Sequence, residues 1–337
     1  MMGRASSAWG AGRWTARLAA LVLSWVGLGA AWAQVAAPAG PPAADIEAWI
    51  QRLHEATRAR AYSGTFVVTR GSDMMTARVV HVCDGRQQIE RIEVLDGPAR
   101  VTWRRDDEVL ILRPDKQWGV RDRRELLRAF PGPLARAGFE VAQHYRAVLR
   151  GSERQAGWDA WVVDFRPRDQ WRYAYRIWSE KSTGLLLKLQ ILGADDAVLE
   201  QMAFTELQLD IPVRLEALAR QMEATRGYRI ERPSLRKTAL EAEGWRLNAE
   251  VPGFRPVTCW ARDDAAARHP LHCVFSDGLA SLSLFFAPAD AGAGSGRSAN
   301  GATHVLAQRV GGYAVTALGE VPPQTLERFL AAVERTR

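Results

Sequence analysis

The spacing of hydrophobic residues changes near residue 60, and this change predicts a helix followed by strands. Over residues 45–60 the apolar residues recur every three or four positions, as in an amphipathic helix, and Asp45 is suited to cap it. From Tyr62 onward apolar and polar residues alternate, which is typical of a strand with one buried face. We therefore expect a single helix to precede a β-rich segment.

Strand-like runs then follow one another at short intervals, separated by turn residues. They cover residues 62–69, 75–83, 88–95, 100–104, 109–112, 117–120, 145–149, 158–165, 171–178, 185–192 and 198–208. A short helix is predicted between them at residues 121–130. Because parallel strands need long crossover connections, this spacing favours an antiparallel sheet of about ten strands.

The character of the sequence changes after Pro212. An amphipathic helix at 213–226 and a basic, proline-containing stretch at 227–237 predict an interdomain linker over 212–237. Residues 238–337 then form a second domain, with strand-like runs at 257–260, 271–275, 279–286, 303–309 and 313–318, a Gly/Ser/Ala loop at 292–302 and a final helix at 322–335. The predicted fold class is α+β, mainly antiparallel β, with a larger first domain at 45–211 and a smaller α+β second domain.

The N-terminal segment has the three parts of a secretory signal peptide. Residues 1–17 contain three arginines and no acid, residues 18–30 are apolar, and Ala31-Trp32-Ala33 offers a cleavage site. The alternative is an uncleaved anchor, but the apolar stretch is shorter than the roughly 20 residues that span a bilayer. We expect residues 1–33 to be removed, residues 34–44 to be a disordered spacer, and the mature protein to be periplasmic.

Composition and charge exclude several classes of protein. Hydrophobic residues make up 47% and charged residues 25%, which is ordinary for a globular protein and excludes a disordered, collagen-like or polytopic membrane protein. The formal net charge is +7, and three of the arginines belong to the signal peptide, so +4 remains on the mature chain. This mild charge gives no argument for nucleic-acid binding.

Three cysteines allow one disulfide in an oxidising compartment. Cys259 and Cys273 lie on two short β-like runs that a loop can join into a hairpin, so a bridge between them is one interpretation. Unpaired thiols, or a metal site that adds His269 and His272, are the alternatives. Neighbouring residues on a strand point to opposite faces, which gives His272 and Cys273 poor geometry for a shared metal. We expect Cys83 to be a buried free thiol.

Catalytic and cofactor motifs are absent from the sequence. It has no nucleophile elbow, Walker A loop, C-x-x-C pair or H-E-x-x-H helix, and its six histidines are scattered. We predict a protein that is not an enzyme and binds neither cofactor nor metal. The remaining signal is the abundance of aromatic and apolar residues on alternating strand positions. They indicate either a well-packed core or a concave apolar face for a lipid or hydrophobic peptide.

Arginines near this apolar face have two interpretations. They can pair with phosphates or an acidic partner, or they can simply form a solvated surface. The residues concerned are Arg104, Arg105, Arg121, Arg123, Arg124 and Arg128.

Three short motifs resemble those of the RseB/MucB family, periplasmic regulators of the envelope-stress sigma factor sigma-E. Leu95-Asp-Gly-Pro98 resembles the LDGP segment of that family, and Phe275-Ser-Asp-Gly-Leu279 resembles its SDGL strand. Gly319-Glu-Val-Pro-Pro-Gln-Thr325 resembles the start of a helix in that family. The motifs occur in order across the mature chain. The Cys259/Cys273 pair and the Gly-rich loop have no counterpart in the pattern.

The resemblance implies a fold and a function. The first domain is expected to be an unclosed barrel over helices, similar to the lipoprotein carriers LolA and LolB. The protein is expected to bind the periplasmic domain of a membrane anti-sigma factor of the RseA/MucA type and to shield it from the site-1 protease. Lipopolysaccharide or another lipid is expected to displace it. The alternatives are a periplasmic lipid or lipoprotein carrier and a hydrolase with an unrecognised site.

Candidate residues follow for both ligands. The lipid face is predicted to include Phe66, Val68, Trp171, Tyr173, Tyr175, Leu187 and Leu189. The anti-sigma contact is predicted around Phe275, Asp277, Gly278 and Leu279 and at the linker, although Asp277-Gly278 is equally suited to a structural turn.

Overall fold

A computed structural model describes residues 45–106, 108–122, 140–262, 271–289 and 296–336. The predicted signal peptide and spacer lie outside these ranges, as does most of the helix predicted at 121–130, whose first two residues end a strand. None of the helices within the ranges is sufficiently long and apolar to cross a membrane.

The described residues form four helices and twenty-one strands. The helices are α1 Ile46–Ala59, α2 Val141–His144, α3 Leu215–Glu223 and α4 Pro323–Ala332. The strands are β1 Tyr62–Arg70, β2 Asp73–Cys83, β3 Gln88–Val94, β4 Arg100–Arg105, β5 Glu108–Arg113, β6 Trp118–Asp122, β7 Tyr145–Gln155, β8 Trp158–Pro167, β9 Ala174–Glu180, β10 Leu186–Leu192, β11 Val198–Leu209, β12 Arg229–Glu231, β13 Leu235–Thr238, β14 Trp245–Leu247, β15 Arg255–Arg262, β16 Leu271–Ser276, β17 Ser281–Pro288, β18 Gly296–Asn300, β19 Thr303–Val310, β20 Tyr313–Gly319 and β21 Val333–Arg335.

Twelve strands form one large sheet, in the order β12-β6-β5-β4-β3-β2-β1-β11-β10-β9-β8-β7. Every neighbouring pair is antiparallel except β12 and β6. Pairing of β1 with β11 joins two meanders, β1–β6 and β7–β11, that are separate in sequence. In the described residues the edge strands β7 and β12 are not paired with each other, so the predicted open, mainly antiparallel sheet is confirmed.

Helices cover both faces of this sheet. Trp49 and Leu53 of α1 pack with Phe165 and Ile177, on the inner face of β7–β10. Asp45 caps α1 as predicted, accepting a hydrogen bond of 2.9 Å from the Glu47 amide. On the opposite face, α3 packs on strands β2–β5 through Leu218 and Met222. We call this sheet with α1–α3 the first domain.

The smaller sheets form the second domain with α4. Seven strands run in the order β13-β15-β16-β17-β20-β19-β18, and β14 pairs with β21. Cys259 and Cys273 lie directly opposite each other on β15 and β16 and form a disulfide. Because both thiols are used in this bridge, they are not available to the alternative metal site, whose His269 lies outside the described residues. Cys83 is a free thiol, half-buried, 3.5 Å from the Arg60 carbonyl oxygen that accepts its hydrogen bond.

The segment predicted as a linker, 212–237, belongs largely to the two domains that it was expected to join. It contains α3, then β12, which pairs with β6 of the first domain, and β13, which pairs with β15 of the second. Only residues 232–234 connect one sheet to the other.

Other elements differ from the prediction at their ends. The strand predicted at 171–178 begins only at Ala174, and the final helix stops at Ala332 because residues 333–335 pair with β14. The predicted loop at 292–302 includes strand β18, while residues 292–295 lie outside the described ranges.

Candidate functional site

An apolar cavity lies on the inner face of the large sheet, where the strand registers bring apolar side chains together. Val68 on β1 lies opposite Met75 on β2 and Met202 on β11, and Met202 lies opposite Leu189 on β10. Side chains at directly opposite positions point to the same face of a sheet. The cavity has a volume of about 410 Å³, within the range of small-ligand sites. Its wall includes Phe66, Val68, Met75, Ile92, Leu189 and Met202.

The mouth of the cavity is polar and has apolar residues beside it. Charged side chains from four strands and the second domain line it, namely Arg70, Asp73, Arg100, Glu200 and Glu320. Met74, which lines the cavity, is 68% exposed, and Leu95 at the start of the β3–β4 turn is 42% exposed. An apolar interior with a charged mouth suits an amphiphile better than a fully polar ligand.

The predicted lipid residues are only partly brought together. Phe66, Val68, Tyr175 and Leu189 line the cavity, and Leu187 is buried in the adjoining core. Trp171 and Tyr173 are not in it. They precede β9 and face the second domain, because the chain bends at Trp171–Arg172 before the strand begins.

Sequence reasoning missed the methionines and the β3 residues of the cavity wall. Met75, Met202 and Ile92 lie on alternating strand runs, so their alternation was visible. Their convergence depends on the pairing of β1 with β11, across more than 120 residues of chain, which the pattern of a single strand does not contain.

The second domain contributes part of the cavity wall. Leu279, which follows strand β16, Asn300, which ends β18, and Glu320, which follows β20, line the cavity. Leu279 and Ala302 also belong to the buried cluster around α1 of the first domain. The cavity is therefore complete only when the two domains are in contact.

A buried ion pair holds the second domain against the first. Arg172 and Asp277 are 2% and 1% exposed, and Nη1 of Arg172 donates to Oδ2 of Asp277 at 2.9 Å. The Tyr145 hydroxyl donates to the same oxygen at 3.0 Å. The guanidinium of Arg172 also lies over the rings of Tyr145 and Phe254. We call Arg172, Asp277 and Tyr145 the latch.

Asp277 also fixes the turn that contains it. Its Oδ1 accepts the amide hydrogens of Leu279 and Ala280 at 2.8 and 2.7 Å. Burial raises the pKa of the Asp277 carboxyl, and the Arg172 guanidinium opposes that rise. The charged form of Asp277 thus depends on its partner from the first domain.

A second set of contacts joins α4 to the segment before β9. The Thr325 hydroxyl donates to the Trp171 carbonyl at 2.8 Å, and the Arg328 guanidinium lies 5.2 Å from the Trp171 ring centre. The Tyr173 hydroxyl is 3.0 Å from Nε2 of His304. Two of the three motifs noted in the sequence, Phe275–Leu279 and Gly319–Thr325, therefore lie where the domains meet.

The predicted contact with the anti-sigma factor falls on residues that pack inside the chain, namely Phe275, Asp277, Gly278 and Leu279. All four residues are buried, in the second-domain core or against the first domain. A partner cannot reach them while the latch is closed. The structural interpretation of the Asp277-Gly278 turn is the one that the contacts support, and Gly278 adopts a φ of 102° there.

The described arginines of the predicted cationic cluster are paired within the chain. Arg104 binds Glu90. Arg105 and Arg121 both bind Glu108 and Glu223. The pKa of Glu223 is lowered chiefly by its hydrogen bond to Arg121. Arg123, Arg124 and Arg128 lie outside the described residues.

We expect loss of the latch to separate the unfolding of the two domains. Asp277→Asn leaves the buried Arg172 with the Asp169 carboxylate, at 2.9 Å, and the Pro252 carbonyl, and should cost about 3 kcal/mol, because removing one partner of a buried pair leaves an under-compensated charge. Urea unfolding followed by tryptophan fluorescence should show a lower midpoint or a split transition. Glu334→Gln, at the exposed pair with Arg246, is the matched control and should change little. Equal midpoints for the two variants would contradict this role of the latch.

Acid should destabilise the protein through three histidines, of which His81 is buried and His144 and His304 are half-buried. Burial is the main cause that lowers the pKa of His81, His144 and His304. As the pH falls through the ordinary histidine value of about 6.5, the unfolded chain binds protons that the folded chain resists, so the free energy of unfolding decreases. We expect a lower Tm at about pH 5.5 than at about pH 7.5, and a smaller difference in His304→Gln. An identical difference in that variant would exclude His304 as a contributor.

Comparisons with known proteins agree with this architecture. The family profile described as the MucB/RseB N-terminal domain matches residues 45–222, and that of the MucB/RseB C-terminal domain matches residues 239–334. The sigma factor AlgU regulatory protein MucB of Pseudomonas aeruginosa is 31% identical over 299 residues, which are 86% of this chain and 91% of the relative. The sigma-E factor regulatory protein RseB of Haemophilus influenzae is 24% identical, over 81% of this chain and 86% of the relative.

Solved structures show the same relationship. The complex of Pseudomonas aeruginosa MucA and MucB matches with a TM-score of 0.67 and 28% identity, over 86% of this chain and 98% of the matched chain. A crystal structure of MucB in complex with MucA(peri) matches with a TM-score of 0.66 at the same identity and coverage. Since both profiles match in order and together cover most of the described residues, this chain belongs to the MucB/RseB family of sigma-factor regulatory proteins.

Proposed function

We propose that this protein is a periplasmic negative regulator of the sigma-E envelope-stress response. It binds the periplasmic part of an RseA/MucA-type anti-sigma factor and shields it from site-1 proteolysis. Lipopolysaccharide or another lipid, bound in the cavity of the first domain, displaces it and allows cleavage to proceed.

The observation that carries the partner proposal is the match to MucB in complex with MucA(peri), which extends over both domains. A relative with the same two-domain arrangement thus binds the periplasmic segment of its partner. Export to the periplasm rests on the signal peptide predicted at residues 1–33, and a disulfide between Cys259 and Cys273 suits an oxidising compartment.

The apolar cavity supports the lipid part of the proposal. We assign the lipid site to Phe66, Val68, Tyr175 and Leu189, with Met75 and Met202. We do not assign Trp171 and Tyr173 to the lipid site, because they contact the second domain. Burial of an acyl chain against these residues removes apolar surface from water, which is favourable at about 25 cal/mol per Å².

A carrier without a regulatory partner is the second candidate. A carrier needs only the first domain, whereas here Leu279, Asn300 and Glu320 of the second domain complete the cavity wall. A ligand in the cavity is therefore in contact with both domains, which favours the regulator.

Reciprocal linkage relates the effect of lipid on anti-sigma binding to the effect of anti-sigma on lipid binding. If lipid weakens anti-sigma binding by a given factor, anti-sigma binding must weaken lipid binding by the same factor. A useful factor of about ten to a hundred corresponds to about 1.4–2.7 kcal/mol. Contacts across one domain interface are of this size.

The first experiment is a pull-down of residues 34–337 with the periplasmic segment of the host's candidate anti-sigma factor, with and without lipopolysaccharide. We expect capture that lipopolysaccharide competes away, together with protection of the captured segment from the site-1 protease. Failure to bind the segment, alongside a co-purifying lipid, would favour the carrier.

A cavity-filling substitution should separate the two binding activities. Val68→Trp puts a large ring into the cavity and should weaken lipid binding at least about tenfold, while anti-sigma capture persists and no longer responds to lipopolysaccharide. Val67→Trp, on the opposite face of the same strand, is the matched control and should behave like the wild type. If Val68→Trp retains the lipid response, the lipid site lies elsewhere.

A further inference from the structure

Two turns, one from each domain, meet at the mouth of the cavity. The β1–β2 turn contains Gly71 and the β18–β19 turn contains Gly301, and both have positive φ, at 56° and 60°. A Cβ atom on Gly301 would lie 3.1 Å from the Gly71 nitrogen and 2.8 Å from Cγ of Arg70. The two backbones are therefore in close contact, with no space for a side chain between them.

Polar side chains flank this contact. Nδ2 of Asn300 donates to Oδ2 of Asp73 at 2.7 Å. Nη2 of Arg70 lies 3.8 Å from Oε1 of Glu320. Within the first domain, Nε and Nη2 of Arg70 donate hydrogen bonds of 3.0 and 2.7 Å to Glu200. We call the three interdomain contacts the seam: Arg70–Glu320, Asp73–Asn300 and Gly71–Gly301.

The seam is also part of the cavity wall. Arg70, Asp73, Asn300 and Glu320 line the cavity at its mouth, and Leu279, two residues from Asp277 of the latch, lines it as well. An amphiphile with its tail in the cavity therefore has its head group at the seam. An anionic head group competes there with Glu320 for Arg70. Its volume also clashes with the β1–β2 and β18–β19 turns, which are already in close contact.

We infer that the seam is the element through which lipid occupancy acts on the contact between the domains: the seam opens when an anionic amphiphile binds, while the latch stays closed. This inference rests on the proposed function for the identity of the ligand. It adds the contacts through which lipid binding affects the second domain. Asn300 and Glu320 are the second-domain residues that couple lipid binding to the contact between the domains.

The latch is stronger than the seam, and this difference decides which of them opens. Besides the Gly71–Gly301 contact, the seam has one exposed hydrogen bond and one long ion pair with a partly exposed arginine, and such polar contacts contribute little. The latch is a fully buried charge pair, and separating it leaves an uncompensated charge. Opening of the seam is thus a rotation of one domain relative to the other about the latch.

Removal of the seam should strengthen lipid binding, because the ligand no longer has to open it. We expect Asn300→Ala and Glu320→Gln each to bind myristoyl lysophosphatidylglycerol about fivefold more tightly in isothermal titration below its micelle concentration, at the low end of known couplings between sites. In the pull-down, half-maximal release of the anti-sigma segment should need about fivefold less lipopolysaccharide.

Two further variants make the test specific. The swap Asp73→Asn/Asn300→Asp keeps both the amide–carboxylate hydrogen bond and the net charge, so it should return lipid affinity to the wild-type value. Asn248→Ala removes a similar exposed bond, to Glu334, within the second domain and away from the cavity, and should leave lipid affinity unchanged. Thermal unfolding of each variant checks that the fold is retained.

The outcomes separate this inference from the proposed function. Lipid affinity is measured without any partner, so the seam is judged even if the anti-sigma segment fails to bind. Unchanged lipid affinity in folded Asn300→Ala and Glu320→Gln overturns the inference, as does an equal change in Asn248→Ala or an absence of lipid binding to the wild type. A wild type that binds lipid but captures no anti-sigma segment instead overturns the proposed function.

Discussion

The pair formed by Arg172 and Asp277 is the interaction on which the arrangement of the two domains depends. Neither charge has access to water, and each takes part of its hydrogen bonding from the other domain: Asp277 from Arg172 and Tyr145, and Arg172 from Asp277 and the Pro252 carbonyl. Taking such charges out of water costs several kcal/mol per ion unless the partner is present in good geometry. The pair is therefore a weak source of net stability and a strong source of specificity, because any other docking of the domains leaves one of the charges uncompensated.

The position of this pair explains why the short motifs are where they are. Asp277 ends β16 in a turn that closes on its own carboxylate, and the turn delivers Leu279 into the core beside α1. The Pro-Pro start of α4 brings Thr325 to the Trp171 carbonyl. A motif that looks like a contact site for a partner thus makes its contacts inside the chain, and through Leu279 and Glu320 it forms part of the cavity wall.

Local patterns were enough to predict most elements but not their convergence. Helix α1 and the strands of both meanders follow from spacing, because a buried face imposes its period on the sequence. The disulfide also lies where two neighbouring runs pair. Only part of the cavity wall was predicted, since Val68 is brought beside Met202 and Leu189 only by the pairing of β1 with β11. Trp171 and Tyr173 were assigned to a strand face that begins three residues later, at Ala174, and the bend before it turns them toward the second domain.

Because two domains build the cavity wall, a ligand in the cavity would act directly on the contact between them. A one-domain carrier has no such contact. In this chain, residues 232–234 are the only covalent passage between the sheets, so the domains communicate through the surface they share. That surface has a buried pivot at Arg172–Asp277 and an exposed edge at Asp73–Asn300. Because the cavity opens at the exposed edge, a ligand of the proposed kind would act on the weakest and most solvent-exposed part of the contact. Under the proposed function, a small free energy of lipid binding would then be sufficient to change the shared surface without unfolding either domain.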